Sequence, residues 1–147
     1  MALAALVILL LHLPDFNFQQ YREPSFIEIK GVHHKDESGY LNYDSRVVLF
    51  HNGTNSLEND LLRAEFFRNG AKIPACIETM NGYKFISTHH FGVQTMGGLG
   101  CSGITWDPKE KITLDFSDNT FHPGDNLRVD IFMKQSGSLV SRYSYLA

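Results

Sequence analysis

An all-β protein, an immunoglobulin-like antiparallel β-sandwich preceded by a short N-terminal hydrophobic α-helix, is the fold class this sequence predicts. Three observations carry the prediction. Between Ile112 and Ala147 two period-two apolar segments meet at Phe121-His122-Pro123-Gly124-Asp125, and a third follows Gln135-Ser136-Gly137-Ser138. In the first, Ile112, Leu114 and Phe116 alternate with Thr113 and Asp115; in the second, Leu127, Val129, Ile131 and Met133 alternate with Arg128, Asp130 and Lys134. That alternation is the pattern of half-buried antiparallel strands. Strand-like runs, about eight or nine of them at spacings of roughly 8 to 15 residues, fill the chain after residue 24 without an amphipathic helix, which fits a sandwich. Ahead of them, Ala2 to Leu11 is an unbroken apolar run.

The elements follow in order. As a helix, Ala2–Leu11 is only about 15 Å long, half of what a bilayer core requires. Leu and Ile cover every face and leave no polar stripe, which disfavours a core helix of the domain. Three readings remain open: a signal-peptide core, the end of a membrane helix that starts upstream, or a processed apolar helix that packs against copies of itself. Residues 1–16 are read as this helix, an assembly or membrane anchor, and 17–24 as a neck closed by Pro24. The sandwich domain spans 25–147. Phe26–Lys30 is a first strand, His33–Gly39 a charged loop, and Tyr43–His51 a second strand. Leu61–Arg68 is a third, and Asn69-Gly70 is a strong hairpin signal because both central residues of a type I′ turn need positive φ. Ala71–Thr79 returns, with Pro74 marking an edge or a bulge. Asn81-Gly82 begins a second hairpin toward Tyr83–Ser87. From His89 to Gly103 the pattern loosens into glycines of the kind that mark corners or close backbone approach.

Composition restricts function. The chain has 147 residues and a formal charge of −3, and its thirteen Lys and Arg are dispersed, so no basic surface invites nucleic acid. Seven histidines include the pairs His33-His34 and His89-His90. Neighbours on a strand point to opposite faces, so neither pair reaches one metal ion. Asp115, Asp118, Asp125 and Asn119 are oxygen donors without the alternation of a calcium loop, and turn hydrogen bonding explains them more cheaply. No nucleophile elbow is present, and neither cysteine has a setting that lowers its pKa. The expectation is therefore no enzyme: no catalytic residue, no metal site and no cofactor. Trp106 is expected in the core rather than on a sugar-stacking platform. Asn52-Gly53-Thr54 is a sequon at the end of a strand, making Asn52 a glycosylation candidate. Cys76 and Cys101 are a candidate disulfide that closes a loop of about 25 residues and is worth ~3 kcal/mol if unstrained.

The succession Ile112–Phe116, Phe121-x-Pro-Gly-Asp125, Arg128–Ile131, a Lys134-x-Ser-Gly137 hairpin and a final strand resembles the globular domain of archaeal type IV pilins, particularly those of methanogens. Gly39–Asp44 and Asn52–Thr54 are similar to the first half of that domain. The resemblance implies an N-terminal helix packed in a filament core, with Ala2, Leu3, Leu6, Val7, Ile8, Leu9, Leu10 and Leu11 as assembly residues. It also implies a glycan on Asn52. The expected function is a structural subunit of an archaeal cell-surface, type IV pilus-like filament that serves adhesion or attachment. Its expected partners are copies of itself, the membrane before assembly, and a surface or glycan ligand. The alternative is a membrane-anchored extracytoplasmic module that binds a carbohydrate or protein; a histidine-dependent metalloenzyme is a third, weaker reading. Either leading reading places the domain outside the cell.

Overall fold

A computed structural model describes residues 22–86 and 90–147. The expected N-terminal helix, its assembly residues Ala2 to Leu11 and most of the neck lie outside the described residues. The strands are β1 Ile27–Lys35, β2 Leu41–His51, β3 Leu57–Glu58, β4 Leu62–Arg68, β5 Ala71–Ile77, β6 Val93–Gly97, β7 Thr105–Trp106, β8 Lys111–Phe116, β9 Asn126–Met133 and β10 Leu139–Leu146. Single 3₁₀ turns occupy Asn59–Leu61 and Leu99–Cys101.

One sheet runs β1-β2-β8-β6 and the other β10-β9-β4-β5, with β3 and β7 as a small ribbon at one end. All pairings are antiparallel. With the ribbon set aside, this is the immunoglobulin order, in which the first, second, sixth and fifth long strands face a sheet carrying an added strand beside the third. The core lies between the sheets. Val47, Leu49, Ile112, Leu114 and Phe116 come from one side, and Leu62, Ala64, Phe66, Leu127, Val129 and Ile131 from the other. Phe66 meets Phe116 edge-on at 4.8 Å, and Phe116 meets Phe121 at 5.1 Å. Phe121 belongs to the crossover from β8 to β9, so this aromatic row joins both sheets and their connection. Ser45 locks the crossover: its Oγ accepts from the Phe121 N–H at 2.9 Å and lies 3.2 Å from the Phe121 carbonyl.

The corners are closed by polar contacts. Ser141 accepts the Ile27 N–H at 3.0 Å, tying β10 to β1, and Cys76 exchanges backbone bonds with Phe91 of 3.0 and 3.1 Å, tying β5 to the approach to β6.

The expected Asn69-Gly70 turn forms, with φ of 50° and 83°, and Pro74 sits on the edge strand β5. Trp106 is fully buried, with its Nε1 donating to the Glu110 carbonyl at 3.1 Å. Four expectations change. The charged loop after residue 33 is in part strand, because β1 runs on to Lys35 through register shifts at Ile29/Gly31 and His33/Lys35 that break the alternation. The strand through Thr79 stops at Ile77. Asn81-Gly82 is a turn without a return strand: its Gly82 is not at positive φ, and its N–H donates to the Cys101 carbonyl at 2.8 Å. Strand β6 hides in the glycine-rich stretch, since an edge strand with only Val93 buried has no apolar period to read.

Gly98 and Gly97 offer a direct comparison. Gly98 has φ +107° and leaves a Cβ only 2.6 Å from the Lys111 carbonyl oxygen, whereas a Cβ on Gly97 meets nothing within 4 Å. Gly98→Ala is expected to destabilise by ~2 kcal/mol or more, and Gly97→Ala to stay within about 0.5 kcal/mol, as measured by urea denaturation.

Candidate functional site

The described residues carry no converging catalytic constellation, so the candidate sites are surfaces and loops. The first is where the neck meets the sandwich. Arg142 on β10 donates from Nε and Nη2 to the two oxygens of Asp130, at 2.8 and 2.9 Å, and from Nη1 to Glu23 at 2.8 Å. Its backbone N–H also donates to the Pro24 carbonyl at 2.8 Å. Asp130 is 1% exposed and has a second cation, Arg128, at 3.2 Å. The hydrogen bonds to Asp130 push the Arg142 pKa further above its ordinary value. One guanidinium thus links a buried carboxylate to the segment that leads toward the N-terminus.

The second is the sequon loop after β2. Asn52 is exposed, and its amide is held on both sides: Nδ2 donates to Glu28 at 2.9 Å, while Oδ1 accepts from Lys109 at 3.0 Å. The loop is organised from beneath by His51, which is fully buried between Phe26 and Trp106.

The third is the end of the sandwich formed by the turns after β3, β5 and β6. Asn59 is fully buried and joins all three. Its Nδ2 donates to the carbonyls of Gly100 at 2.8 Å and Gly103 at 3.0 Å, its N–H donates to Ile104 at 2.8 Å, and its carbonyl accepts from Met80 at 3.2 Å. The segments it joins project apolar side chains: Tyr83 is 81% exposed, Leu99 72% and Ile104 69%. Tyr83 also lines a cavity of about 260 Å³ with Gly82, Met96, Gly98, Cys101 and Ser102. Exposed large apolar groups around a concavity are a feature of binding surfaces.

Cys76 and Cys101, the candidate disulfide, are both free thiols in the structure. Cys76 lies on β5, and Cys101 lies in the 3₁₀ turn before β7, with its Sγ donating to the Gly98 carbonyl at 3.4 Å. The immunoglobulin bridge would join the positions of β2 and β9, where neither cysteine stands. Burial pushes the Cys101 thiol up, away from reactive thiolate. The described histidines disperse. His51 packs on Trp106 and Phe26, His90 on Phe85 at 4.0 Å, and His122 on Tyr43 at 4.5 Å. Asp125 is occupied internally, with one oxygen accepting the His122 N–H at 2.8 Å and the other the Asn69 side chain at 3.0 Å. Burial, then the charge of Asp44, raises the Asp115 pKa. Among the described residues no group of three or more His, Cys, Asp or Glu is placed to hold a metal ion, and no helix is long and apolar enough to cross a membrane.

Sequence reasoning missed Arg142, Asn59 and the apolar side chains around the Asn59 turns. Each acts through partners far along the chain, and no local pattern announces such a partner. The nearest signal was an Asp at position 130 on a strand otherwise rich in apolar residues.

No protein-family profile matches the chain. No curated protein matches it either. Two solved structures are similar in shape. The archaellum periplasmic stator protein FlaG from Sulfolobus acidocaldarius is 15% identical with a TM-score of 0.43, and the match covers 82% of this chain and 97% of that one. The archaellum periplasmic stator protein complex FlaF and FlaG from the same organism is 14% identical with a TM-score of 0.45, over 88% and 94% of the two chains. Likeness this low carries no functional inference.

Two substitutions test the pins. Arg142→Met is expected to cost ~3 kcal/mol, because one partner of a buried carboxylate is lost while Arg128 remains, and to speed proteolysis at the neck. Asn59→Ala is expected to cost about 2 to 3 kcal/mol in urea denaturation, since the buried Gly100 carbonyl and the part-buried Gly103 carbonyl lose their donor.

Proposed function

We propose that this chain is a non-enzymatic structural subunit of an archaeal cell-surface filament apparatus, with the sandwich outside the membrane and the apolar N-terminal segment as its means of attachment. The observation that carries the reading is a division of labour along the chain. The longest apolar run, Ala2 to Leu11, precedes the sandwich, and the period-two strands that follow supply a core of their own from Ile27 to Ile131. Burying Leu6 through Leu11 supplies on the order of 10 kcal/mol of drive out of water before ordering costs, and lipid or neighbouring copies can satisfy it. The Arg142 contact gives the neck a fixed point of departure from the sandwich, which a subunit needs if its body is to take a defined attitude to its anchor. The likeness of the segment from Ile112 to Gly137 to archaeal type IV pilin domains favours a pilus-like subunit. A stationary component beside a filament belongs to the same class, with a different partner.

A second reading, an anchored module that binds a carbohydrate or protein, is favoured by the Tyr83, Leu99 and Ile104 surface around its cavity.

The test uses the full chain. In detergent-free solution it is expected to form large assemblies, seen by sedimentation and electron microscopy, and to lose them when residues 1–21 are removed. A monomeric full chain with its N-terminus intact and no filaments overturns the filament-subunit reading. Mass spectrometry of native material is expected to find a glycan mass on Asn52.

A further inference from the structure

The sequon loop rests on a histidine in one defined protonation state, and this is a feature separate from attachment. The His51 side chain is fully buried, with ring centroids 5.6 Å from Phe26 and 5.8 Å from Trp106, the latter edge-on at 86°. Its Nδ1 receives the Gly53 N–H at 3.0 Å, so that nitrogen is an acceptor. Its Nε2 lies 2.9 Å from the Asn55 carbonyl oxygen, which only accepts, so the proton sits on Nε2. Both ring nitrogens are committed, and the tautomer is the neutral Nε2–H form.

A second proton would sit on Nδ1 and face the Gly53 N–H. Two donors at that distance repel, and the loop lies close on the two rings: a Cβ on Gly53 would stand 2.7 Å from the His51 ring and 2.8 Å from Phe26. The preceding peptide adds to the loop's hold, with Asn52 N–H donating to the Phe26 carbonyl at 2.8 Å just before β1 begins. The loop also walls a cavity of about 230 Å³ with Phe26, His51 and Leu57. We propose that His51 is a proton-operated latch: neutral, it holds residues 52–57 closed over Phe26 and Trp106; protonated, it releases the loop and loosens the start of β1.

The charged groups around the latch are Asp107 and Glu110 in the turn before β8, which act on the His51 ring, with Lys109 of that turn and Glu28 of β1 on the Asn52 side chain. Asp107 and Glu110 favour the imidazolium, but burial outweighs them and lowers the His51 pKa below the ordinary 6.5. The sign follows. A base whose folded pKa is depressed takes its proton more readily when the loop is open. The latch is at full strength above the ordinary imidazole pKa, and it weakens as pH falls through that value toward the depressed one.

Trp106 is the only tryptophan, so emission from the intact full chain reads the latch directly. Acidification is expected to quench Trp106 with a midpoint below 6.5. Across the same range the protection of the Gly53 amide, taken relative to its intrinsic exchange rate at each pH, should fall about tenfold, the yield of losing one such hydrogen bond. Far-UV dichroism should stay constant. His51→Gln keeps an acceptor and a donor without titrating, and is expected to abolish both changes. Any step that survives in it belongs to Asp107 or Glu110 and overturns the assignment to His51. Should that variant not fold, imidazole nitrogen shifts of the unmodified chain decide: a neutral Nε2–H ring that titrates together with the Gly53 exchange supports the latch. A midpoint at or above 6.5, Gly53 exchange that ignores the titration, or simultaneous loss of far-UV signal overturns it.

Discussion

The edge-on row Phe66, Phe116 and Phe121 is the contact on which the rest of the sandwich depends. Phe66 comes from one sheet, Phe116 from the other, and Phe121 from the crossover, so a single run of ring contacts holds both layers and the segment that passes between them. Each ring buries enough apolar surface to supply about 1.5 to 3 kcal/mol, and edge-to-face geometry adds to that. The register of β8 follows from it, because a slip of one residue would turn Phe116 to solvent and Asp115 into the core.

Around this apolar centre a few buried polar groups decide the loops. Ser45 holds the crossover, Asn59 joins three turns, Ser141 closes a corner and Asp130 with Arg142 fixes the neck. Side chains such as these are costly to bury unless satisfied, so each is tied to partners it cannot exchange freely. The consequence is a rigid body with well-defined points of departure for its surface segments.

The ends of the sandwich differ in character. Turns joined by Asn59 present Tyr83, Leu99 and Ile104, while the sequon loop beside them is polar and rests on His51. Glu23 and Pro24 of the neck are held against β10 by Arg142. The exposed apolar side chains, the sequon loop and the neck contact thereby lie on separate elements, so that one can change without disturbing the others.

Most of the architecture was legible in the sequence where burial is periodic. The alternation in β8 and β9 declared a sandwich with one wet face, Asn69-Gly70 declared its hairpin, and Pro74 declared an edge or a bulge, of which the structure has the edge. These are local statements, since side-chain direction in a strand follows from position alone. Strand β6 was illegible because an edge strand with one buried residue has no period, and the continuation of β1 was masked by two bulges. The free state of Cys76 and Cys101, the three turns gathered by Asn59, and the protonation state of His51 belong to the tertiary structure. Each depends on atoms that are neighbours in space and strangers in sequence: Asn59 meets Gly100, Arg142 meets Glu23, and His51 meets Trp106. The chain by itself determined that it would be a β-sandwich with an apolar leader, because periodicity and composition are properties of short segments. Only folding decided which polar groups would be pinned and which apolar groups left exposed, because desolvation and hydrogen-bond geometry exist only once distant segments have met.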